Sequence, residues 1–374
     1  MRKKKARKNK MAEVARRAGV SLSTVSRALA GSPLISEETR NLVRSVAARL
    51  DYRVDAAGSS LRTGLTRTAG VVIPLKHAET QHLSDPFFLE IVGAIADELS
   101  ARSYNMLLAK VTHDPTDWIT SSIRSRRADG VIVIGQSLHH AALNALSGAD
   151  VPLVVWGAQL LDQRYVTVGS DNEQGGYSAA HHLLEQGCRD IVFLGDSAVP
   201  EVAARLEGYV RALREAGRPR QERFELCVRF GSDRDTAHRA VSSLLDAGVA
   251  FDGVVACSDV FAMSAVQALV ERGLRVPADC AVVGYDDIPF ASLTTPPLTT
   301  VRQNYREGAK QLVDNLMRAI NRERPSSAVL ATEIVVRASS QRERYRKLPS
   351  IRAKRASSSV RSHHGRRDDG AARS

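Results

Sequence analysis

Three short helices are predicted near the N-terminus from apolar residues that recur every three or four positions. Gly19 separates the first two helices, at a turn that can use its freedom to adopt a positive φ. Ser21 and Ser36 are placed to cap the second and third helices through their side-chain oxygens. The positions predicted to share one core are Val14, Ala15, Ala18, Val25, Ala28, Leu29, Val43, Val46, Ala47 and Leu50.

The second predicted helix carries polar and basic residues on the face that points away from this core. Two helices joined by a tight turn, with such an outer face, favour a helix-turn-helix unit whose second helix enters the DNA major groove. The pattern alone is also compatible with an ordinary pair of antiparallel surface helices. The residues of the outer face are Leu22, Ser23, Ser26 and Arg27.

From residue 69 onward, continuous apolar runs alternate with helical stretches, which is typical of parallel sheets covered on both faces. The predicted strands lie at 69–74, 105–109, 129–134, 151–156, 165–168, 190–194, 224–228, 253–256, 280–284 and 333–337. The predicted helices lie at 86–102, 116–127, 140–148, 173–187, 200–216, 233–247, 259–272 and 305–321. The series forms two α/β halves, and a cleft between the carboxyl ends of their strands is the expected ligand site.

Positive charge is concentrated at the two ends of the chain. The net charge is +12, of which residues 1–10 carry +7 and residues 341–374 carry +8. The residues between them carry −3, so a polyanionic partner would be held at the ends rather than by the body. Both ends are predicted to be disordered, and the first is compatible with either a phosphate-contacting arm or a solvated tail.

The sequence offers no catalytic or metal-binding constellation. It lacks a glycine-rich phosphate loop and a G-x-S-x-G motif, and its adjacent histidine pairs do not have the spacing of metal ligands. The four cysteines are far apart, which predicts buried free thiols in a reducing compartment. No apolar segment resembles a secretory signal or a membrane span. We therefore expect a cytoplasmic protein that contacts no membrane, binds no metal or cofactor and is not an enzyme.

The N-terminal sequence resembles the headpiece and hinge of the lactose-repressor (LacI/GalR) family, and the resemblance continues to about Ser340. It implies an all-α helix-turn-helix headpiece followed by a periplasmic-binding-protein-like α/β core of type I, built from two parallel-sheet subdomains. The residues that carry it are Val14-Ala15, Ala18-Gly19-Val20-Ser21, Thr24-Val25-Ser26-Arg27, Thr39-Arg40, Leu50, Tyr52, Ala56-Ala57 and Leu61.

The resemblance divides the chain into five segments. In this family the hinge helices of two subunits pair on DNA, and a leucine from each is wedged into the minor groove. Leu61 stands at that position, although it could instead pack on the core. Gly58 departs from the family pattern and weakens a short hinge helix. The segments are a basic disordered arm (1–10), the headpiece (11–54), the hinge (55–68), a ligand-binding and dimerisation core (69–340) and a basic disordered tail (341–374).

Contacts with DNA are expected from the second helix and the hinge. Arg27 can make a bidentate contact with guanine, and Leu22 can meet a thymine methyl group. The full set of expected DNA-binding residues is Ser21, Leu22, Ser23, Thr24, Ser26, Arg27 and Leu61.

Effector-binding residues are expected at the strand ends that face the cleft. By resemblance, Arg205 binds ligand hydroxyls or a carboxylate, and Asp286 hydrogen-bonds a sugar or a purine. Phe88 and Trp156 could equally be core residues, and Gly157 stands where the family often has an acid. The expected set is Phe87, Phe88, Trp156, Arg205, Ser258 and Asp286.

Taken together, the resemblance implies a homodimeric transcriptional regulator, more often a repressor than an activator. It would bind a near-palindromic operator, because a two-fold dimer reads a two-fold site. A small molecule in the cleft would control it, and a sugar or sugar derivative is the family's commonest ligand, with purines as an alternative.

Overall fold

The computed structural model describes residues 2–342, except for 30–31, 33, 53–63, 75–81, 113, 137–138, 148–150 and 230–235. For residues 2–9 it describes the backbone alone. The predicted wedge residue Leu61, most of the hinge and nearly all of the tail therefore lie outside the described residues.

Three helices form the headpiece: α1 (Arg2–Ala18), α2 (Leu22–Leu29) and α3 (Glu37–Arg49). The apolar stripes predicted from the sequence meet in one small core, with Val14, Val25 and Val43 fully buried. Gly19 has a φ of 65°, as the turn requires, and the Val20 N–H donates to the Ala15 carbonyl across it.

The basic arm differs from the prediction. Helix α1 begins at Arg2, so the backbone of residues 2–10 is helical where the sequence predicts disorder. Lysine, arginine and alanine are good helix formers, and extending a helix that the core already holds requires no new nucleation.

The α/β core consists of two lobes, each with a six-stranded sheet. The first sheet has the strand order β11-β5-β4-β3-β1-β2 and is parallel throughout, and the second has the order β12-β10-β9-β8-β6-β7. In the second sheet only the pair β10–β12 is antiparallel. The strands are β1 (Thr68–Pro74), β2 (Asn105–Val111), β3 (Gly130–Ile134), β4 (Leu153–Trp156), β5 (Val166–Ser170), β6 (Ile191–Gly195), β7 (Glu225–Cys227), β8 (Gly253–Ala256), β9 (Ala281–Asp286), β10 (Thr299–Arg302), β11 (Ala328–Leu330) and β12 (Glu333–Val335).

Helices cover the sheets as the alternating pattern predicts. Strands such as β3 and β9 are buried along their whole length, which is why they read as unbroken apolar runs. The helices are α4 (Pro86–Ala101), α5 (Pro115–Arg124), α6 (His140–Ser147), α7 (Asn172–Glu185), α8 (Pro200–Glu215), α9 (Thr236–Asp246), α10 (Asp259–Glu271) and α11 (Tyr305–Ile320).

The described chain passes between the lobes three times. It leaves the first sheet after β5, returns from β10 into α11, and crosses again from β11 to β12. Helix α11 packs on the first lobe, where Leu312 and Leu316 are fully buried. The prediction of two α/β halves joined by several crossings is confirmed, but the short strand β11 was not predicted.

All four cysteines are free, as expected. Cys188, Cys257 and Cys280 are buried, whereas Cys227 is exposed at the end of β7, so the prediction of uniform burial is wrong there. No helix in the described part of the chain is long and apolar enough to span a membrane.

Candidate functional site

The outer face of α2 is the candidate DNA-reading surface. Val25 and Ala28 face the headpiece core, and Ser21 caps the helix by accepting the Thr24 N–H at 3.0 Å. The Thr24 hydroxyl lies 2.8 Å from the same Ser21 oxygen. Of the remaining predicted contacts, Ser26 is half-buried, and the exposed ones are Leu22, Ser23 and Arg27.

The chain enters the core through a carboxylate clamp on the first lobe. Asp129, just before β3, accepts the Thr66 N–H at 2.7 Å and the Arg67 N–H at 2.8 Å. It also accepts the Thr66 hydroxyl at 2.9 Å. These charge-assisted bonds fix the last residues of the hinge segment to the sheet that faces the cleft.

Arg205 is the central cation of the candidate effector cleft. Its guanidinium donates from Nε to Asn172 Oδ1 at 2.9 Å and from Nη1 to the Cys257 carbonyl at 2.5 Å. It lies 3.6 Å above the centre of the Tyr285 ring. Because the two hydrogen bonds and the contact with the Tyr285 ring all hold the guanidinium of Arg205, its planar fork of N–H donors is fixed before a ligand binds.

Asp286, the last residue of β9, lies beside this cation. Its Oδ1 accepts the Gln303 amide at 2.7 Å, and its backbone has a φ of 115°, which non-glycine residues rarely adopt. Burial raises the pKa of Asp286 to about 7, against the opposing effects of Arg205 and Gln303. The charge of Asp85, on the first lobe, raises it further.

Ser258 acts as a helix cap in the structure. Its Oγ accepts the Phe261 N–H at 3.3 Å at the start of α10, and the residue is buried. The hydroxyl hydrogen remains able to donate to a ligand. The next residue, Asp259, accepts the Thr300 hydroxyl at 2.5 Å and the Ile288 N–H at 2.9 Å, and burial raises its pKa well above the usual range.

The three predicted aromatic residues occupy different depths of the first lobe. Phe87 is half-buried and meets the ring of Tyr305 edge-on, with centroids 5.9 Å apart. Phe88 is buried in the lobe core. Trp156 is only 4% exposed and packs so closely under α11 that a Cβ on Gly308 would lie 2.4 Å from its ring. Of the three, Phe87 is the one best placed to meet a ligand.

Three polar residues of the cleft were not selected from the sequence: Gln136, Tyr165 and Glu201. Gln136 follows β3 and donates to the Ala158 carbonyl at 2.6 Å. The Tyr165 hydroxyl lies 2.8 Å from His140 Nδ1, and burial raises the pKa of Tyr165 to about 12. Glu201 is the second residue of α8 on the second lobe. Their positions relative to the predicted elements could have indicated a place in the cleft. Gln136 lies just after β3, Tyr165 just before β5 and Glu201 in the first turn of α8.

The described residues contain no group of three or more histidine, cysteine, aspartate or glutamate side chains arranged to hold a metal ion. The clustered groups are instead hydrogen-bond donors and acceptors around a fixed guanidinium.

Two families of known proteins match the chain. The family described as "Bacterial regulatory proteins, lacI family" matches residues 10–55, and the family "Periplasmic binding protein-like domain" matches residues 180–340. The HTH-type transcriptional repressor PurR of Actinobacillus pleuropneumoniae is 30% identical over 304 residues, which cover 80% of this chain and 88% of that protein.

Solved structures agree with this assignment. The cellobiose complex of the transcriptional regulator CelR is 30% identical, with a TM-score of 0.67 and coverage of 88% of this chain and 99% of that one. The lac repressor dimer bound to operator and the anti-inducer ONPF is 24% identical, with a TM-score of 0.73 and coverage of 87% and 97%. The second comparison supports the fold alone.

These relatives are transcriptional regulators and not enzymes, and they match both the headpiece and the two-lobed core. The chain therefore belongs to the lacI family of bacterial regulatory proteins, as a DNA-binding transcriptional regulator controlled by a small molecule.

Proposed function

We propose that the protein represses transcription from the bacterial cytoplasm by binding a near-palindromic operator as a homodimer. A sugar or sugar derivative in the cleft controls that binding. The observation that carries the proposal is the exposed outer face of α2, which is held on a packed headpiece and joined to a cleft with a preformed guanidinium.

Base reading is assigned to the exposed residues of α2. The short cap at Ser21 sets the start of this helix, so Leu22 and Ser23 point outward from its first turn. Arg27 lies one turn further along the same face and has the fork geometry that matches guanine.

We expect Arg27→Ala to relax base preference at one position in each half-site and to cost about 1–3 kcal/mol on the preferred base. Selection of bound duplexes from random-sequence DNA at fixed salt measures this directly. Arg44→Ala, at an exposed position of α3, is the control and should leave the selected sequence unchanged. An unaltered consensus for Arg27→Ala would contradict its assignment.

Dimerisation is supported by apolar side chains that remain exposed on both lobes. Leu89 on α4 is 59% exposed, and Leu108 lies on the neighbouring edge strand β2. On the second lobe, Phe290 and Leu293 are 57% and 75% exposed. Covering such residues with a second copy would bury apolar area and place two headpieces side by side.

The hinge is proposed to couple the two functions. A hinge helix of about seven residues is unstable alone, so pairing on DNA with Leu61 as a minor-groove wedge would order it. Effector binding changes how the lobes close, and the Asp129 clamp transmits the position of the first lobe to the last residues of the hinge segment.

We expect Asp129→Ala to lower operator affinity about tenfold, because the Thr66 and Arg67 N–H groups lose their carboxylate partner. Effector affinity should stay within about twofold, since Asp129 makes these bonds outside the cleft. Titration of operator duplex and of cellobiose into the same preparations gives both values. Asp117→Ala, at an exposed position of α5, serves as the control. Unchanged operator affinity would show that the Asp129 clamp does not couple effector binding to DNA binding.

A sugar effector is supported by the chemistry of the cleft. Arg205 and Asp286 offer a donor and an acceptor side by side, which suits a hydroxyl group that both accepts and donates. Phe87 and Tyr305 offer aromatic surface nearby. The relative CelR, at 30% identity, was solved with cellobiose.

A further inference from the structure

The first lobe has a basic face at the end of its sheet where the hinge segment joins it. The Asp129 carboxylate holds the Thr66 and Arg67 N–H groups at the amino ends of β1 and β3, whereas the candidate effector cleft lies at the carboxyl ends of the strands. The last turn of α11 packs on the same end, since a Cβ on Gly130 would lie 3.1 Å from Ile320 Cγ1. Five exposed arginines lie at this end of the lobe, and we call them the arginine face: Arg67, Arg124, Arg126, Arg127 and Arg322.

The guanidinium groups of the arginine face have no acidic partner of their own. None of the five forms an ion pair or a side-chain hydrogen bond with another residue in the described part of the chain. The nearby carboxylates of Glu98 and Asp314 are already bound by Arg102, each at 2.5 Å. The excess of positive charge is local, because residues 11–340 as a whole carry a net charge of −3. An unpaired cluster of arginines on an acidic body is typical of a surface that binds a polyanion.

Two of the five arginines occupy backbone positions that favour glycine. Arg126 follows α5 with a φ of 52°, and Arg322 follows α11 with a φ of 61°. Glycine adopts this left-handed conformation without steric cost and is the usual residue just beyond a helix end. The four helices of the second lobe, α7 to α10, are all followed by a glycine at positive φ: Gly187, Gly217, Gly248 and Gly273. The first lobe therefore carries a charge at two turns where the second lobe uses the sterically easier residue.

The second lobe repeats the carboxylate clamp without a basic turn, which makes it an internal comparison. Asp252, just before β8, accepts the Arg189 and Asp190 N–H groups at 2.8 and 2.9 Å, much as Asp129 holds the end of the hinge segment. The turn that leads from α9 to Asp252 is formed by residues 247–251, none of which is charged. A clamp of this kind therefore requires no arginines, and the clamp alone does not account for those of the first lobe.

The length of the hinge segment brings the arginine face close to DNA. In the proposed function Leu61 enters the minor groove, and Arg67, which the Asp129 clamp holds, follows six residues later. Six residues span at most about 22 Å when fully extended. The minor groove is about 7.5 Å deep, so the phosphates at its rim stand between Leu61 and the first lobe. Arginines on the near face of the lobe are thus in place to meet them.

We infer that the arginine face is a further DNA-contact surface, which binds backbone phosphates beside the centre of the operator. The inference rests on the proposed function, because the hinge brings this face to DNA only when the headpiece is bound. Phosphates carry no base identity, so the face adds affinity and salt dependence without adding sequence preference.

The salt dependence of operator binding by the full-length protein tests the inference. Arg126→Gln/Arg127→Gln removes two charges from the face, and the matched control Arg189→Gln/Arg214→Gln removes two from exposed positions of the second lobe. Each lost phosphate contact lowers the slope of log K against log salt concentration by about 0.9. We expect the first variant to lower that slope by about 1.8 in each subunit and to bind at least about tenfold more weakly. The control should match the wild type.

Neutral phosphates in the operator locate the contact. In a series of duplexes, one phosphate at a time is replaced by an uncharged methylphosphonate. The wild type should lose affinity at positions beside the operator centre, whereas Arg126→Gln/Arg127→Gln should be insensitive there, and both should select the same bases.

Two outcomes would contradict the inference in distinguishable ways. If Arg126→Gln/Arg127→Gln keeps the wild-type slope and methylphosphonate pattern, the inference is overturned while operator binding by the headpiece stands. That result is expected if the face binds an acidic protein instead of DNA. If the wild type selects no operator at all, the proposed function fails and the inference fails with it.

A glycine substitution separates the proposed role from a structural one. Arg126→Gly should not lower Tm, because glycine readily adopts a φ of 52°, but it should lower the salt slope by about 0.9 in each subunit. Ser103→Gly is the matched control, since Ser103 is exposed after α4 with a φ of 57° and its replacement changes no charge. A lower Tm with an unchanged slope for Arg126→Gly would assign Arg126 to the stability of its turn and overturn the inference.

Discussion

Replacing Arg205 with alanine is expected to destabilise the core by about 3–5 kcal/mol and to weaken effector binding at least 100-fold. The guanidinium is buried between Asn172, the Cys257 carbonyl and the Tyr285 ring. Its removal leaves the Asn172 and Cys257 oxygens without this donor and Asp286 without its neighbouring positive charge.

The loss of Arg205 also shifts a titration. Arg205 lowers the pKa of Asp286 in the intact protein, so in the alanine variant that pKa should rise further above its present value of about 7. A carboxyl group with a raised pKa in the folded state lowers the free energy of unfolding as pH increases towards that pKa. The variant should therefore be most destabilised, relative to the wild type, on the alkaline side of neutrality.

Denaturant unfolding of the full chain at several pH values measures both effects. Arg214→Ala, at an exposed position of the same helix, should change the free energy of unfolding by no more than about 0.5 kcal/mol. Arg205→Lys should fall between the two, because it keeps the charge but loses the planar fork. A stability loss below about 1 kcal/mol for Arg205→Ala would show that the buried contacts are not formed.

The elements of the fold were predictable where burial repeats along the chain. The periodic apolar positions that include Val14, Val25 and Val43 indicate the headpiece core. The continuous apolar runs that form β3 and β9 indicate buried parallel strands. Strand β11 (Ala328–Leu330) has three residues with no clear alternation of burial, and it exists because β5 offers it an edge to pair with. That edge is a property of the assembled lobe, not of the segment.

The candidate site was predictable only in part, for a related reason. Asp286 ends a strand and Arg205 matches a family position, so each is visible in the sequence. In the sequence, Glu201 cannot be told from any other acidic residue in the first turn of a helix, where the helix dipole stabilises a negative charge. Its carboxyl group approaches the other lobe, where a Cβ on Gly157 would lie 3.1 Å from Glu201 Oε1, and nothing in the order of residues reveals that approach. Ser258 was predicted to bind effector, although its place just before Asp259 also fits a helix cap.

Replacing Gly208 with alanine is expected to destabilise the core by about 1–3 kcal/mol or more, because helices α7 and α8 cross with almost no space between their backbones. A Cβ at Gly208 would lie 1.9 Å from the Glu173 carbonyl oxygen and 2.6 Å from the Tyr177 nitrogen. On the other helix, a Cβ at Gly176 would lie 2.0 Å from the Arg205 carbonyl oxygen. Backbone atoms cannot rotate away as a side chain can, so the helices must separate.

The same separation should impair effector binding, since α7 begins at Asn172 and α8 carries Arg205, whose Nε donates to Asn172 Oδ1. Thermal unfolding and cellobiose titration of the variant measure the two losses together. Gly93→Ala is the control, because Gly93 is an exposed position of α4 and a Cβ there meets nothing within 4 Å. Alanine favours a helix over glycine by up to about 1 kcal/mol, so Gly93→Ala should raise stability where Gly208→Ala lowers it. Equal effects from the two substitutions would mean that helix propensity, rather than the close crossing of α7 and α8, governs both sites.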